Sequence, residues 1–301
     1  MTRVCVVGSV NADLTFSVTA LPRPGETVLA SALMTSPGGK GGNQAVAAAR
    51  AGADVALVAA MGTDAAADQL RRHLTDNGVD ITAVSSVPGP SGSAAILVDS
   101  GAENMIVVAP GANAELTVDA PGLRAAVTAA EVMLLQLEIP LATAVGAARA
   151  ARASGATVLV NASPAGYDPA DLEPLAQAAD VVVVNESEAA PWRDDDRLRV
   201  AHLVVTRGAH GVRHITAERT RDLPALDVAA VDTTGAGDVF AGVLAASWPD
   251  GPDLALRRAC AAGALATLVP GAGNCAPYSK AIDNAMTGAP HDEQHAPPTR
   301  G

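Results

Sequence analysis

Short runs of β-branched and aliphatic residues, each closed by a small or polar residue, recur through the first two-thirds of the chain. They are Val4-Cys5-Val6-Val7 ending at Gly8, then residues 55–60, 132–137, 157–160, 181–184 and 203–206. None alternates apolar with polar, so each reads as a strand buried on both faces, the pattern of a parallel sheet covered by helices. Helix-length segments lie between them, at 64–76 (stopped by Asn77-Gly78) and 141–154, and two more follow at 236–247 and 254–268. Such alternation predicts an α/β chain, a three-layer sandwich with a mostly parallel central sheet flanked by helices. Ligands of these sheets bind beyond the carboxyl ends of the strands. The polar residues that close the runs, Asn11, Glu138, Asn161, Asn185, Thr206 and Asp238, gather on that edge.

Two stretches do not fit the sheet because they alternate. One carries Leu14, Phe16 and Val18, then Thr27-Val28-Leu29 after the turn at 21–25; the other pairs 93–99 with 103–109 across Ser100-Gly101. They predict a small β-sheet lid, with strands from about 12–36 and 92–110, on one domain spanning 1–286. Residues 287–301 are polar and Pro-bearing and read as a disordered tail.

Composition excludes several functions. The formal net charge is −12 and no basic stripe is present, against a nucleic-acid or anionic-membrane partner. With aromatics at only 2%, the core rests on Ala, Val and Leu. Cys5, Cys260 and Cys275 are widely spaced with no CxxC, which points to a reducing compartment without structural disulfides. The N-terminal apolar run is too short for a signal-peptide core, and the run at 127–137 is broken by Glu131 and Gln136. The expectation is a soluble, cytoplasmic protein.

Two glycine-rich turns carry the chemistry. Asp232-Thr233-Thr234-Gly235-Ala236-Gly237-Asp238 opens a helical pattern, and unpaired N–H groups at a helix start attract anions. An acid at the mouth of an anion site suggests proton transfer. The stretch reads either as a phosphoryl-transfer loop with Asp238 as base, or as a plain glycine turn whose acid favours the helix dipole. Gly38-Gly39-Lys40-Gly41-Gly42-Asn43 lacks the Ser or Thr that a P-loop places after its lysine. With Asn11 and Asp13 it either holds a polyhydroxylated molecule or is simply a helix start with permissive glycines. Gly8-Ser9-Val10-Asn11 lacks the G-x-G-x-x-G spacing, against a dinucleotide site. The pairs His210/His214 and His291/His295 have i, i+4 spacing but fall in a turn-and-strand and in the tail, against metal binding. Arg193-Asp194-Asp195-Asp196-Arg197 reads as a solvated turn.

Taken together, the order Asn11-Ala12-Asp13, Gly38 to Ala49, Gln136-Leu137-Glu138, Asn185-Glu186-Ser187-Glu188, Thr206-Arg207-Gly208 and Asp232 to Asp238 resembles the ribokinases among the PfkB-type carbohydrate kinases. The resemblance spans roughly residues 3–280. It implies a ribokinase-like fold whose lid closes over a sugar and pairs with a second subunit as a homodimer. It also implies ATP-dependent phosphorylation of the 5-hydroxyl of D-ribose, or of another acceptor such as fructose, deoxyribose, a nucleoside or a sugar phosphate. A non-catalytic sugar-binding regulator would keep the same fold. The implied sugar set is Asn11, Asp13, Gly39, Lys40, Asn43 and Glu138, with Asp238 as base and Gly235, Ala236 and Gly237 as anion hole. Asn185, Glu188, Thr206, Arg207, Gly208, Ala209, His210, Gly211, Gly237 and Cys260 resemble the nucleotide and Mg²⁺ region. Asp232, Thr234, Ala266, Val269, Gly271 and Cys275 fall where an activating K⁺ is held.

Four departures stand out. Cys275 replaces a Ser oxygen at the K⁺ region, and sulfur suits a hard cation poorly. Cys260 stands where relatives carry His or Asn near the adenine. Val243 follows Gly242 where a small residue is usual. The stretch between Glu188 and Thr206 is short and is expected to lack a helix.

Overall fold

The computed structural model describes residues 1–101 and 103–288. In chain order the strands are β1 (Arg3–Val7), β2 (Asn11–Ser17), β3 (Ala32–Gly38), β4 (Asp54–Met61), β5 (Val84–Ser86), β6 (Gly92–Val98), β7 (Asn104–Ala109), β8 (Val132–Gln136), β9 (Thr157–Asn161), β10 (Val181–Asn185), β11 (His202–Thr206), β12 (Val212–Ile215) and β13 (Thr220–Leu223). The helices are α1 (Lys40–Arg50), α2 (Ala65–Asp76), α3 (Leu123–Ala129), α4 (Leu141–Ser154), α5 (Pro169–Ala176), α6 (Ala190–Asp194), α7 (Ala236–Ser247), α8 (Pro252–Ala266) and α9 (Ser279–Thr287).

Nine strands form the central sheet in the order β13-β12-β11-β10-β9-β8-β1-β4-β5. Pairing is parallel from β11 to β5, and β12 and β13 close one edge antiparallel. The valine-rich runs are buried on both faces, and each face feeds its own apolar cluster. Helices α1, α2, α7 and α8 contribute to one cluster; α3, α4 and α5 contribute to the other. Strand order reverses at β1, which lies between β8 and β4, so a crevice opens at its carboxyl end. Helix ends follow local chemistry. Asp64 caps α2 by accepting from the Ala67 N–H at 3.1 Å, and Gly155 ends α4 at φ +84°.

The alternating stretches form a separate four-stranded sheet, β3-β2-β6-β7. Its two antiparallel pairs are joined by parallel pairing of β2 with β6, from Asn11 opposite Gly92 to Ser17 opposite Val98.

Several boundaries depart from expectation. Thr27-Val28-Leu29 precede β3, which starts at Ala32, where antiparallel pairing with β2 begins opposite Ser17. The stretch after Glu188 is not devoid of helix: Pro191 lies in the first turn of α6, and a 3₁₀ turn follows at Asp196–Leu198. Helix α8 starts at Pro252 and ends at Ala266. The tail from 289 onward, with His291 and His295, lies outside the described residues. Val243 is fully buried in the core. No described helix is long and apolar enough to cross a membrane.

Candidate active site

Helices α1 and α7 bring the two glycine-rich turns together. They pack closely because Gly242 on α7 faces α1 with no side chain of its own. A Cβ there would collide with the Gln44 carbonyl and stand 2.8 Å from the Ala47 Cβ. Both helices therefore present their amino ends, and the positive ends of their dipoles, to the same crevice. The Asn43 amide joins them by donating to Asp238 Oδ2 at 3.1 Å. Asp238 is buried in the first turn of α7.

The α7 turn needs its glycines for two different reasons. Gly235 caps the helix at φ +80°, a conformation strained for other residues. A Cβ at Gly237 would meet nothing within 4 Å, so the side-chain face of that residue borders open space. Gly39 also has positive φ, +84°, and its Cα lies against the Val10–Asn11 backbone.

The sugar set implied by the resemblance lines one wall of the crevice. Glu138 follows β8, where its Oε2 accepts from the Lys40 N–H at 3.1 Å and the Ser9 hydroxyl at 2.5 Å. Asn11 opens β2, and its Oδ1 accepts from Asn113 at 2.8 Å, while Asn113 Oδ1 accepts from the Val10 N–H at 2.9 Å. Asp13 lies two residues along β2 and packs against Gly38, which leaves no room for a Cβ. Burial, then the neighbouring Glu138 and Asp238, push the Asp13 carboxyl up to about 7. Burial would lower the Lys40 ammonium, but Asp238, Glu138 and Glu188 outweigh it and hold it above its ordinary range. Each of these groups therefore feels the others.

The residues of the expected nucleotide region lie at the ends of β10 and β11. Asn185 and Glu188 bond reciprocally: Glu188 accepts from the Asn185 N–H at 2.9 Å, and Asn185 Oδ1 accepts from the Glu188 N–H at 2.9 Å. Thr206 donates to the Val184 carbonyl at 3.3 Å, and Arg207 pairs with Asp222 at 3.4 Å. Gly208, Ala209 and His210 form an exposed 3₁₀ turn that ends at Gly211, φ +79°. Cys260 points into the core instead, and burial pushes its thiol up to about 12, so it offers only an apolar wall.

Behind the α7 turn, Asp232 accepts from the Thr234 N–H and the Gly271 N–H, both at 2.8 Å, and is held below the usual carboxylate range despite its burial. The Cys275 thiol donates to the Ala272 carbonyl at 3.3 Å, with the Thr234 carbonyl at 3.9 Å. Ala266 ends α8, with Val269 just beyond it. Arg50, at the far end of α1, donates to the Asn274 and Ala276 carbonyls at 3.0 and 2.7 Å and so ties this loop to the helix of the sugar set.

The sequence reading missed Ser9, Gln44, Asn113 and Gln136. Gln44 and Gln136 lie inside the quoted motifs, yet a lone amide in a helix or strand gives no periodic signal. Among the described residues, no group of three or more His, Cys, Asp or Glu is arranged to hold a metal ion.

The model of the pfkB family carbohydrate kinases matches residues 1–278. The chain is 33% identical to the ribokinase of Bacillus subtilis over 95% of its length and 100% of that protein. It is 34% identical to the deoxyribokinase of Salmonella typhi over 80% of its length and 84% of that protein. A solved Arabidopsis thaliana ribokinase complexed with ribose and ATP superposes with a TM-score of 0.87, at 28% identity, covering 95% of this chain and 99% of that one.

Proposed function

Because this chain belongs to the pfkB family of carbohydrate kinases, and so is an ATP-dependent sugar kinase, we propose that its acceptor is D-ribose and its product ribose 5-phosphate. The observation that carries the mechanism is the Asn43–Asp238 bond, which holds an acid in the first turn of α7, beside the Gly235–Gly237 turn and across from the amino end of α1. In this reading Asn11, Asp13, Lys40, Asn43 and Glu138 hold the sugar hydroxyls with its 5-hydroxyl at Asp238. Asp238 takes the hydroxyl proton as the oxygen attacks the γ-phosphoryl of ATP. The N–H groups of Gly235, Ala236 and Gly237 then receive the charge that develops on the transferring group.

Asn185 and Glu188 offer the hard oxygen donors that Mg²⁺ takes, and their reciprocal bonds fix the two residues beside each other. Mg²⁺ bound there would offset nucleotide charge. The carbonyls of Thr234 and Ala272 around Cys275, with Asp232 beside them, suit a monovalent cation such as K⁺. Thr206, Arg207 and the 208–211 turn would line the nucleotide. We also propose that the lid pairs with a second copy of the chain, because its two edge strands are apolar and exposed: Met34 on β3 is 64% and Val107 on β7 is 62% accessible.

The test is ADP release across D-ribose, 2-deoxyribose, fructose, nucleosides and sugar phosphates. Ribose should give the highest kcat/KM. The kinship with a deoxyribokinase makes 2-deoxyribose the specific rival, and a preference for it would replace ribose in this reading. Asp238→Asn should lower kcat by about 10²–10⁴-fold with little change in ribose affinity. Near-normal turnover would remove Asp238 as base.

A further inference from the structure

Asp238 is held by more than its neighbour Asn43. Its Oδ1 accepts from Gln44 Nε2 at 2.9 Å, and the same nitrogen donates to Asn161 Oδ1 at 3.1 Å. Asn161 Nδ2 donates in turn to the Val183 carbonyl at 3.3 Å. On the other side, Gln136 Nε2 donates to Gln44 Oε1 at 2.6 Å. Gln44 and Gln136 are both fully buried.

The chain of amides has a fixed direction. A backbone carbonyl can only accept, so Asn161 turns its nitrogen to Val183 and its oxygen to Gln44. A carboxylate also only accepts, so both hydrogens of Gln44 Nε2 are used, one toward Asn161 and one toward Asp238. The Gln44 oxygen is left facing Gln136, which must donate.

Gln136 holds this orientation against its own packing. Its Oε1 is buried without a hydrogen-bond partner among the described residues. It fits only because Gly8 has no side chain there. The other residues of β8 are Val, Met, Leu and Leu, all fully buried, so an apolar residue would suit position 136 better for packing alone. What the glutamine adds is the donor that keeps Gln44 pointed at Asp238.

We propose that Gln44, oriented by Gln136, is the positioning residue that fixes the Asp238 carboxylate so that one oxygen faces the sugar hydroxyl. The proposal rests on the reading of Asp238 as base. Asn43 restrains Oδ2 from the sugar side, and Gln44 restrains Oδ1 from the core side, so rotation of the carboxylate breaks a bond at either end. The charged groups facing Asp238 from neighbouring elements are Lys40 of α1 and Asp13 of β2, with the Cys275 thiol from the loop after α8. Gln44 and Asn43 are the uncharged donors that hold it, one at each oxygen.

The experiment uses the full chain with D-ribose, ATP and Mg²⁺, comparing Gln44→Met, Gln136→Met and Asp238→Asn for kcat and KM. Gln44→Met should lower kcat by about 10²-fold, on the scale of a misplaced catalytic group, with KM for ribose nearly unchanged. Gln136→Met touches neither the acid nor the sugar set and should lower kcat the same way by less, again with KM nearly unchanged. It carries the test if Gln44→Met does not fold. Wild-type kcat in the folded glutamine variants, or a loss confined to KM, with Asp238→Asn inactive, would overturn the positioning role alone. An active Asp238→Asn would overturn the base itself.

Discussion

Asp13 shows what the site asks of single residues. Its carboxyl is raised from the ordinary 3.8 to about 7 by burial first and by two like charges second. A carboxyl raised on folding gives stability while protonated and loses it as pH climbs from about 4 to about 7. Asp13→Asn should therefore stabilise the unliganded protein at pH 8 by up to ~4 kcal/mol, while the gain vanishes below about pH 4. Urea unfolding at the two pH values checks this; an equal gain at both would contradict it. At the proposed cation loop, Cys275→Ser exchanges a soft donor for a hydroxyl beside the Thr234 and Ala272 carbonyls. Half-maximal activation should then need less K⁺ than in the parent, measured by ADP release in a K⁺ titration. Lys40, Asn43, Glu138 and Asp238 were readable because they follow a strand or sit by a glycine turn, and Asn11 and Asp13 because they form one short polar motif after β1. Gln44, Gln136 and Asn113 were not, because their partners lie on elements distant in sequence and only the packed fold aims their amides.

At the scale of elements, the α1–α7 contact decides the geometry, since each helix carries one half of the site at its amino end. Gly242→Ala places a methyl against the Gln44 carbonyl and Ala47 and must push the helices apart. The expected result is a loss of about 1–3 kcal/mol in urea unfolding, the range for overpacking. A larger proportional fall in kcat than in ribose affinity should accompany it, because Asp238 moves relative to Asn43. Unchanged kcat at reduced stability would show that the contact serves only the core. Helices α1, α2, α4, α7 and α8 and the central strands were legible here from their period and their caps, whereas the shorter α3, α5, α6 and α9 were not. Nor were the edge strands β5 and β13, because strands of three or four residues carry too little pattern to separate from a turn.

Across the whole molecule, an acidic chain builds an anion-facing crevice without a basic stripe, using two helix ends and one enclosed lysine. The lid stands apart from this body and exposes Leu33, Met34, Ile106 and Val107 along its two edge strands. Such edges invite pairing. The expectation is a dimer by sedimentation that becomes a monomer on Met34→Glu with Val107→Glu, with its helical circular dichroism intact. A monomeric parent at micromolar concentration would contradict it. The lid was visible in the sequence as alternation outside the sheet pattern. Its internal order was not, because nothing local says that β2 pairs with β6.

That parallel pairing also sets an order in time. Asn11 lies opposite Gly92, so the inner edge of β2 has no partner until β6 has been made. At roughly 5–20 residues per second, the fifty or so residues between β3 and β6 take several seconds to leave a ribosome. Through that interval the edge of β2 that pairs with β6, from Asn11 to Ser17, has no strand beside it. The strand that anchors the sugar wall is thus begun among the first and completed only after α1, β4, α2 and β5 have been synthesised, which makes the lid the vulnerable stage of this chain's own assembly.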